Sequence, residues 1–373
     1  MDKNITVKEI STTEEIWDFI RFPQTLYKDV PQYVPALEAE EWNTLTQHPA
    51  LKFCDLRMWM AYKGDQPVGR IAGIINHRYN RYYQKRRIRF GWLDFIDDPE
   101  VLQTLIRKVE KWGAGLELDE MAGPSRFTNM EKQGMMIQGF DVVPSVATDY
   151  NAPYYPLLME KSRFEKETDF IQYKIKVDPV PDSINRLYDI ISKRYNVTVK
   201  EFGSNKEMAE YGMKFLDALN ESFSGNYNFI PLDDEEKEYL IRNHITQIQP
   251  DLVSVLTDEK DRVLGFALCM PSLSMALQKA GGKVFPFKRH HVNKAFRKND
   301  TVDLLLTGII PEWQSRGIHA LYHKLLNEAF LNRGYQYAIT NPQAENLIAG
   351  RVWDKYDSQV YCKKRCYVKR IFR

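Results

Sequence analysis

Apolar positions in this chain follow two periods, and the periods take turns. Short apolar runs at 5–10, 58–62, 68–73, 88–96 and 170–177 predict strands. Between them, 14–27 predicts a helix, and so does 101–116, where apolar residues fall at 101, 102, 105, 106, 109 and 112. The pattern then repeats. Helix 184–195, strand 197–202, helix 206–222, strands 252–256, 263–267 and 302–310, helix 317–332 and strand 336–340 follow in order. In helix 317–332 the apolar residues are 318, 321, 322, 325, 326, 329 and 330. Strands interleaved with helices in this way predict a mixed α/β layout with central sheets flanked by helices.

The seam between the two runs is Asp178-Pro179-Val180-Pro181-Asp182. Its prolines remove two backbone donors and favour extended chain. The order of elements matches on either side, so the sequence predicts two similar domains, 1–178 and 179–373. Both hairpins place a glycine early in the second strand, Gly69 and Gly265, where close packing or a bulge is expected.

Composition narrows the classes. The 373 residues are 43% hydrophobic and 27% charged, ordinary for a globular protein and wrong for a disordered or low-complexity chain. Lys+Arg is 52 against 50 Asp+Glu, a balance that argues against a whole-protein nucleic-acid binder. The aromatic and basic segment 79–87 carries no recognised nucleic-acid motif. Four cysteines, Cys54, Cys269, Cys362 and Cys366, are too few for a disulfide scaffold and lack metal-ligand spacing, so they read as reduced thiols with no metal. With no 18-residue apolar run and no signal segment, the expectation is a cytoplasmic protein without a membrane span.

The richest segment is 304–319, where the strand Leu304-Leu305-Leu306-Thr307-Gly308-Ile309-Ile310 runs into Pro311-Glu312-Trp313-Gln314-Ser315-Arg316-Gly317-Ile318-His319. A helix starting at a glycine offers unpaired N–H groups and a positive dipole end to an anion. Strand, Ile-Pro, Gln-x-x-Gly-x and amphipathic helix together resemble motif A of the GNAT superfamily of acyl-CoA N-acyltransferases. Gln314, Gly317 and His319 occupy its three marked positions, with His319 in place of a small residue. The following Asn346, Ala349 and Lys355 fit the family's next motif; Trp353 stands where a Tyr is usual, and Asp357-Ser358 replaces Gly-Phe. In the first half, Asn129, Gly134 and Gly139-Phe140 resemble the same Asn-helix-Gly-Phe ending more weakly.

The resemblance implies two GNAT-like domains, acetyl-CoA or another acyl-CoA as co-substrate, and an amine acceptor, whether small molecule or protein. CoA would bind through the backbone amides of Arg316, Gly317, Ile318 and His319 with Gln314, while Ile309 and Ile310 lie near the thioester and Asn346 near the pantetheine arm. Asp303 is the candidate base, predicted to share a strand face with Thr307; His290 and His291 are alternatives. An indole cannot protonate a leaving thiolate, so Tyr356 is the candidate acid. The first half has Asp97-Asp98-Pro99-Glu100 at the equivalent turn. Carboxylates repel a pyrophosphate, and Pro99 lacks an N–H. This half is expected to cap its helix there, to bind no CoA, and to form a wall of the substrate cleft.

Two basic stretches remain. Residues 271–300 hold five Lys, two Arg and one Asp, and 363–373 hold three Lys and three Arg, each a net +6. They are expected to be a solvated loop and tail, or to hold the 3′-phosphate of CoA or an acidic substrate. Other readings are an aminoacyl-tRNA-dependent transferase of similar tandem build and a GNAT-like chain that has lost catalysis and only binds.

Overall fold

The computed structural model describes residues 4–371 apart from 181, 285, 286, 347–351, 354 and 355. The first half contains β1 (Ile5–Glu9), α1 (Thr13–Leu26), α2 (Glu38–Gln47), β2 (Cys54–Lys63), β3 (Gln66–Asn76), α3 (His77–Tyr83), β4 (Arg87–Phe95) and α4 (Pro99–Gly115). It continues with β5 (Glu120–Gly123), β6 (Met135–Gln138), α5 (Tyr154–Lys161) and β7 (Glu165–Lys176). The second half has α6 (Asp182–Arg194), β8 (Thr198–Lys200), α7 (Asn205–Ser222), α8 (Asp234–Asn243), β9 (Val253–Thr257), β10 (Val263–Pro271), α9 (Ser274–Ala280) and α10 (Arg289–Arg297). Then come β11 (Thr301–Ile309), α11 (His319–Arg333), β12 (Tyr337–Thr340), β13 (Gln343–Ala344) and β14 (Ser358–Arg370).

The repeat is real at the level of topology. β1 to β5 form one run of the sheet and β8 to β12 the mirror run. In each, one neighbouring pair is parallel: β4 with β5, and β11 with β12. The glycines at the hairpins behave alike. A Cβ on Gly69 would meet Leu105 of α4 at 2.8 Å, and one on Gly265 would meet the Gly308 carbonyl at 3.1 Å. The ladder also slips beside each of them, so close approach and bulge occur together.

The centre of the sheet was not legible as such. Its order is β1-β2-β3-β4-β5-β14-β7-β12-β11-β10-β9-β8. β14, from the end of the chain, lies beside β5, and β7, from before the seam, lies beside β12. β7 and β14 then pair with each other along most of their length. Each half is therefore completed by the other half's last strand.

This corrects the reading of 363–373 as a solvated tail. Residues up to Arg370 belong to the central strand, and two of its cations form close ion pairs: Arg365 with Asp169 at 2.7 Å and Lys369 with Glu110 at 2.7 Å. Lys364 is fully buried, and burial brings its pKa down to about 8. A strand carrying Lys-Lys-Arg reads as exposed until the partners that neutralise it are known.

The exchange has a testable consequence. A fragment of residues 1–178 lacks the strands that close its sheet, leaving the β5 edge and both edges of β7 open. It is expected to aggregate or remain unfolded alone, and to fold when co-expressed with 179–373. Circular dichroism and gel filtration of both preparations check this; a folded, monomeric 1–178 would contradict it.

One local expectation fails. No helix joins Asn129 to Gly139. Gly134 and Gly139 take φ values of +80° and +87°, which a helix cannot use, and β6 lies between them. The helix before β7 is α5 instead.

Candidate functional site

β11 is the spine of the second half. Its parallel pairing with β12 covers Thr301 to Leu304 and ends there, closed by Asn341 N–H donating to Leu304 O at 2.9 Å. From Leu305 to Ile309, no strand pairs with β11 on the β12 side among the described residues. On the other side the β10 register slips by one residue, from Leu268↔Leu306 to Cys269↔Leu304. Leu305 is thus a bulge residue with no partner on β10. Residues 304–309 are half-buried, so one wall of this gap is accessible.

The bulge changes which side chains share a face. Residues directly opposite in a ladder point the same way. Asp303 is opposite Met270, and Thr307 is opposite Ala267, three positions away on β10. An odd separation puts them on opposite faces, contrary to the two-residue count from sequence. Asp303 shares its face with Leu306, Gly308 and Phe266, the last packed against Phe215 of α7.

At the far end of β11 the chain turns through a short 3-10 helix, Pro311–Trp313. Ser315 and Gly317 then both adopt left-handed backbone, at φ 61° and 79°. Alternating left-handed residues before a helix turn successive N–H groups inward, a geometry suited to anions. α11 begins at His319, and the first N–H to bond back is Ala320, to Gly317 O at 3.0 Å. The amides of Gly317 and Ile318 precede that bond, where a helix leaves its donors unspent.

The side chains of this turn are held in place. The Gln314 amide donates to Ile309 O at 3.0 Å, which ties the turn to the strand. The Arg316 guanidinium lies over the Trp313 ring at 4.7 Å. Ile318 is fully buried. Ile309 is half-buried at the end of the strand. Ile310 points into the core, and its N–H is spent on Leu264 O. Asn346 is exposed, and Ala349 and Lys355 lie outside the described residues.

The second half holds two buried titratable centres. Asp303 is 2% exposed, and neither carboxylate oxygen has a hydrogen-bond partner among the described residues. Burial pushes its pKa up to about 7. The Ser272 hydroxyl nearby pulls the other way without closing a hydrogen bond in this geometry. The second centre is Tyr356, whose hydroxyl lies 3.3 Å from His323 Nδ1. Burial raises the Tyr356 pKa to about 12 and, helped by the neighbouring His319, lowers that of His323 to about 3. A neutral His323 can accept the phenolic proton at Nδ1 if its own proton sits on Nε2. His323 was missed from sequence. Its one signal was the spacing His319-x-x-x-His323, which places both rings on one face of α11; the rings lie 5.7 Å apart.

Trp353 is buried, and its indole N–H donates to Gln343 at 3.1 Å. It has no proton to offer elsewhere. His290 and His291 sit on α10 with ring centroids 3.9 Å apart and tilted by 44°, His290 exposed and His291 half-buried.

The first half differs at the same place. Every residue of β4 is buried. Beyond the paired Arg89, the loop after β5 occupies the gap: Ser125 N–H donates to Phe90 O at 2.9 Å, and a Cβ on Gly91 would strike Ser125 O at 2.7 Å. Arg126 fills what remains, bonded to Glu41 at 2.8 Å and lying over Trp92 at 4.4 Å. Arg70 and Asp94 form a second buried pair at 2.8 Å. A cavity of about 40 Å³ is left among these groups. At the turn, Asp98 caps α4 by accepting from Glu100 N–H and pairs with Lys63 at 2.5 Å.

Comparison with known proteins places this geometry. No family model matches the chain. Its fold is that of a tandem GNAT protein from the clavulanic acid biosynthesis pathway, with a TM-score of 0.59 over 99% of both chains at 9% identity. A GCN5-related N-acetyltransferase from Sphaerobacter thermophilus gives a TM-score of 0.54, covering 98% of this chain and 96% of that one at 12% identity. In sequence the chain is 25% identical over 380 residues to Protein YghO of Escherichia coli (strain K12), spanning 98% of this chain and 95% of the relative. It is 23% identical over 296 residues to a bacterial ceramide synthase of Caulobacter vibrioides (strain NA1000 / CB15N), spanning 76% and 74%. No helix among the described residues is long and apolar enough to cross a membrane. No group of three or more His, Cys, Asp or Glu among them is placed to hold a metal ion.

Proposed function

We propose that the chain is an acyl-CoA-dependent N-acyltransferase that works in its second half alone. The observation that carries this reading is the contrast between the two equivalent gaps. The one beside β4 is filled by Ser125 and Arg126, whereas beside β11 no strand pairs with Leu305–Ile309 among the described residues, and this half-buried stretch runs into a glycine-led turn before α11.

In this reading the pyrophosphate of CoA lies on the amides of Arg316, Gly317, Ile318 and His319. The pantetheine arm runs between β11 and the chain after β12, past Asn346. Ile310 has neither a free N–H nor an accessible side chain, so the thioester belongs further up the strand, at the Leu305 bulge. Backbone N–H groups on that unpaired edge would polarise the acyl carbonyl. Asp303, with a pKa near neutrality, takes the proton of the attacking amine. Tyr356, backed by His323, hands its proton to the departing thiolate. The nitrogen–carbonyl bond forms as the carbon–sulfur bond breaks, leaving amide and free CoA.

One relative's name fits the same chemistry. A ceramide is the amide of a fatty acid and a long-chain amino alcohol, so a ceramide synthase makes an N-acyl bond. Leu304, Leu305, Leu306 and Ile309 give the gap an apolar wall that suits a chain longer than acetyl. The test is release of free CoA from acetyl-CoA and from a long-chain acyl-CoA, with a panel of amines that includes long-chain amino alcohols. Amine-dependent CoA release is expected. Acyl-CoA binding without turnover on any amine would favour the non-catalytic reading.

A further inference from the structure

The second half carries a basic hairpin that the acyl-transfer site does not use. α9 ends at Gly281 in left-handed backbone, and α10 has no buried residue. The root of the hairpin is fixed to the first half. Gln278 donates to Pro31 O and Tyr33 O at 2.8 and 2.9 Å, and Glu38 N–H donates to Gly282 O at 3.1 Å. Phe287, between the two helices, is 86% exposed, and Met275, in the first turn of α9, is 55% exposed.

The same segment carries a set of exposed cations. Lys279, Lys288, Arg289, Lys294, Arg297 and Lys298 are exposed, and none forms an ion pair among the described residues. Lys283 alone reaches a carboxylate, Glu38 at 3.6 Å. These charges share one neighbourhood: burial, His290, Lys279, Lys288 and Lys294 together hold the pKa of His291 below its ordinary value. The segment 271–300 carries +6 while the whole chain carries +2, leaving −4 for the rest. The charge is therefore local to this hairpin.

Its position separates it from the CoA cradle. α10 leads into the first residue of β11 and the cradle follows the last. Nine extended residues span about 27 Å. A pyrophosphate at Gly317 is out of reach of α10. Asp303 lies near the α10 end of the strand, so the hairpin stands on the acceptor side of the site.

We infer that the α9–α10 hairpin is a docking surface for an anionic lipid bilayer, with Phe287 and Met275 entering the headgroup region and the surrounding cations on the phosphates. Cations alone would suit any polyanion. Exposed apolar groups on the same hairpin suit a surface with an apolar interior beneath its charge. The geometry also sets the orientation: the membrane faces the acceptor end of β11, opposite the CoA cradle.

The test is co-sedimentation of the full chain with vesicles, without acyl donor. Binding to vesicles containing phosphatidylglycerol is expected, with little binding to phosphatidylcholine alone and weakening as salt is raised. Lys294→Gln with Arg297→Gln should weaken binding about thirtyfold. Phe287→Ser should weaken it several-fold with both cations intact. All these positions are exposed, so unchanged thermal melting is the control for folding. Equal binding to both vesicle types, or none at low salt, overturns the proposal. So does binding to duplex DNA that loses affinity with the charge variant while Phe287→Ser changes nothing, which would mark a polyanion site. Because no acyl donor is present, failure here leaves the acyl-transfer reading untouched, and failure of that reading leaves vesicle binding to be judged separately.

Discussion

Gly317→Glu is expected to abolish CoA binding while leaving the fold intact. In the proposed complex a carboxylate at this position would lie beside the pyrophosphate. Two like charges about 4 Å apart repel by ~4 kcal/mol at an effective dielectric of about 20, roughly a thousandfold in affinity. The helix dipole can no longer help, because the new anion uses it first. Space is not the obstacle: a Cβ on Gly317 would meet Leu187 at 3.4 and 3.5 Å, ordinary contact. Backbone strain is the competing effect, since φ is +79° and a side chain there costs ~1–2 kcal/mol. Gly317→Ala carries the strain without the charge. Calorimetric titration of CoA into wild type and both variants separates the two effects. The expected order is wild type, then Ala within about tenfold, then Glu without measurable binding. Equal affinity in the Ala and Glu variants would sink the cradle.

Asp303→Asn tests the other end of the site, in two ways. As a general base, Asp303 should contribute on the order of 10²–10⁴ to kcat. The base works ionised, so wild-type kcat/KM should fall as pH drops below about 7, and this limb should vanish in the variant while acyl-CoA affinity holds. The second readout is stability. Between about pH 4 and 7 the folded protein keeps a proton on Asp303 that the unfolded chain has released. Stability therefore declines as pH rises through that window and stays low above it. Asparagine has no charge to bury. Asp303→Asn should be more stable than wild type at pH 8, by up to roughly 4 kcal/mol, and no more stable at pH 4. A variant destabilised equally at both pH values would mean that Asp303 is a structural group with partners, not a waiting base.

The strands and helices were legible because each repeats an apolar period long enough to count. Helices 101–116 and 317–332 appear as α4 and α11 to within two residues at each end, and the glycine-led turn between β11 and α11 is where its spacing put it. Asp98-Pro99 was legible as a helix cap, since a cap is a contact between neighbours in sequence.

What sequence could not supply depends on contacts between distant residues. The bulge at Leu305 is a mismatch between two strands and exists only in their register, so counting by twos placed Asp303 and Thr307 on one face. His323 becomes a proton partner only because Tyr356, 33 residues away, folds against it. The chain alone thus determined a repeated α/β order, the helix starts and a glycine-led turn into α11, all set by local periodicity and local backbone chemistry. The tertiary structure decided that β7 and β14 change places, that one gap is plugged while no described strand covers the other, and that Asp303 is buried without a hydrogen-bond partner among the described residues. Each of those is fixed by which strand edges and side chains meet across the sheet, and no local pattern records that.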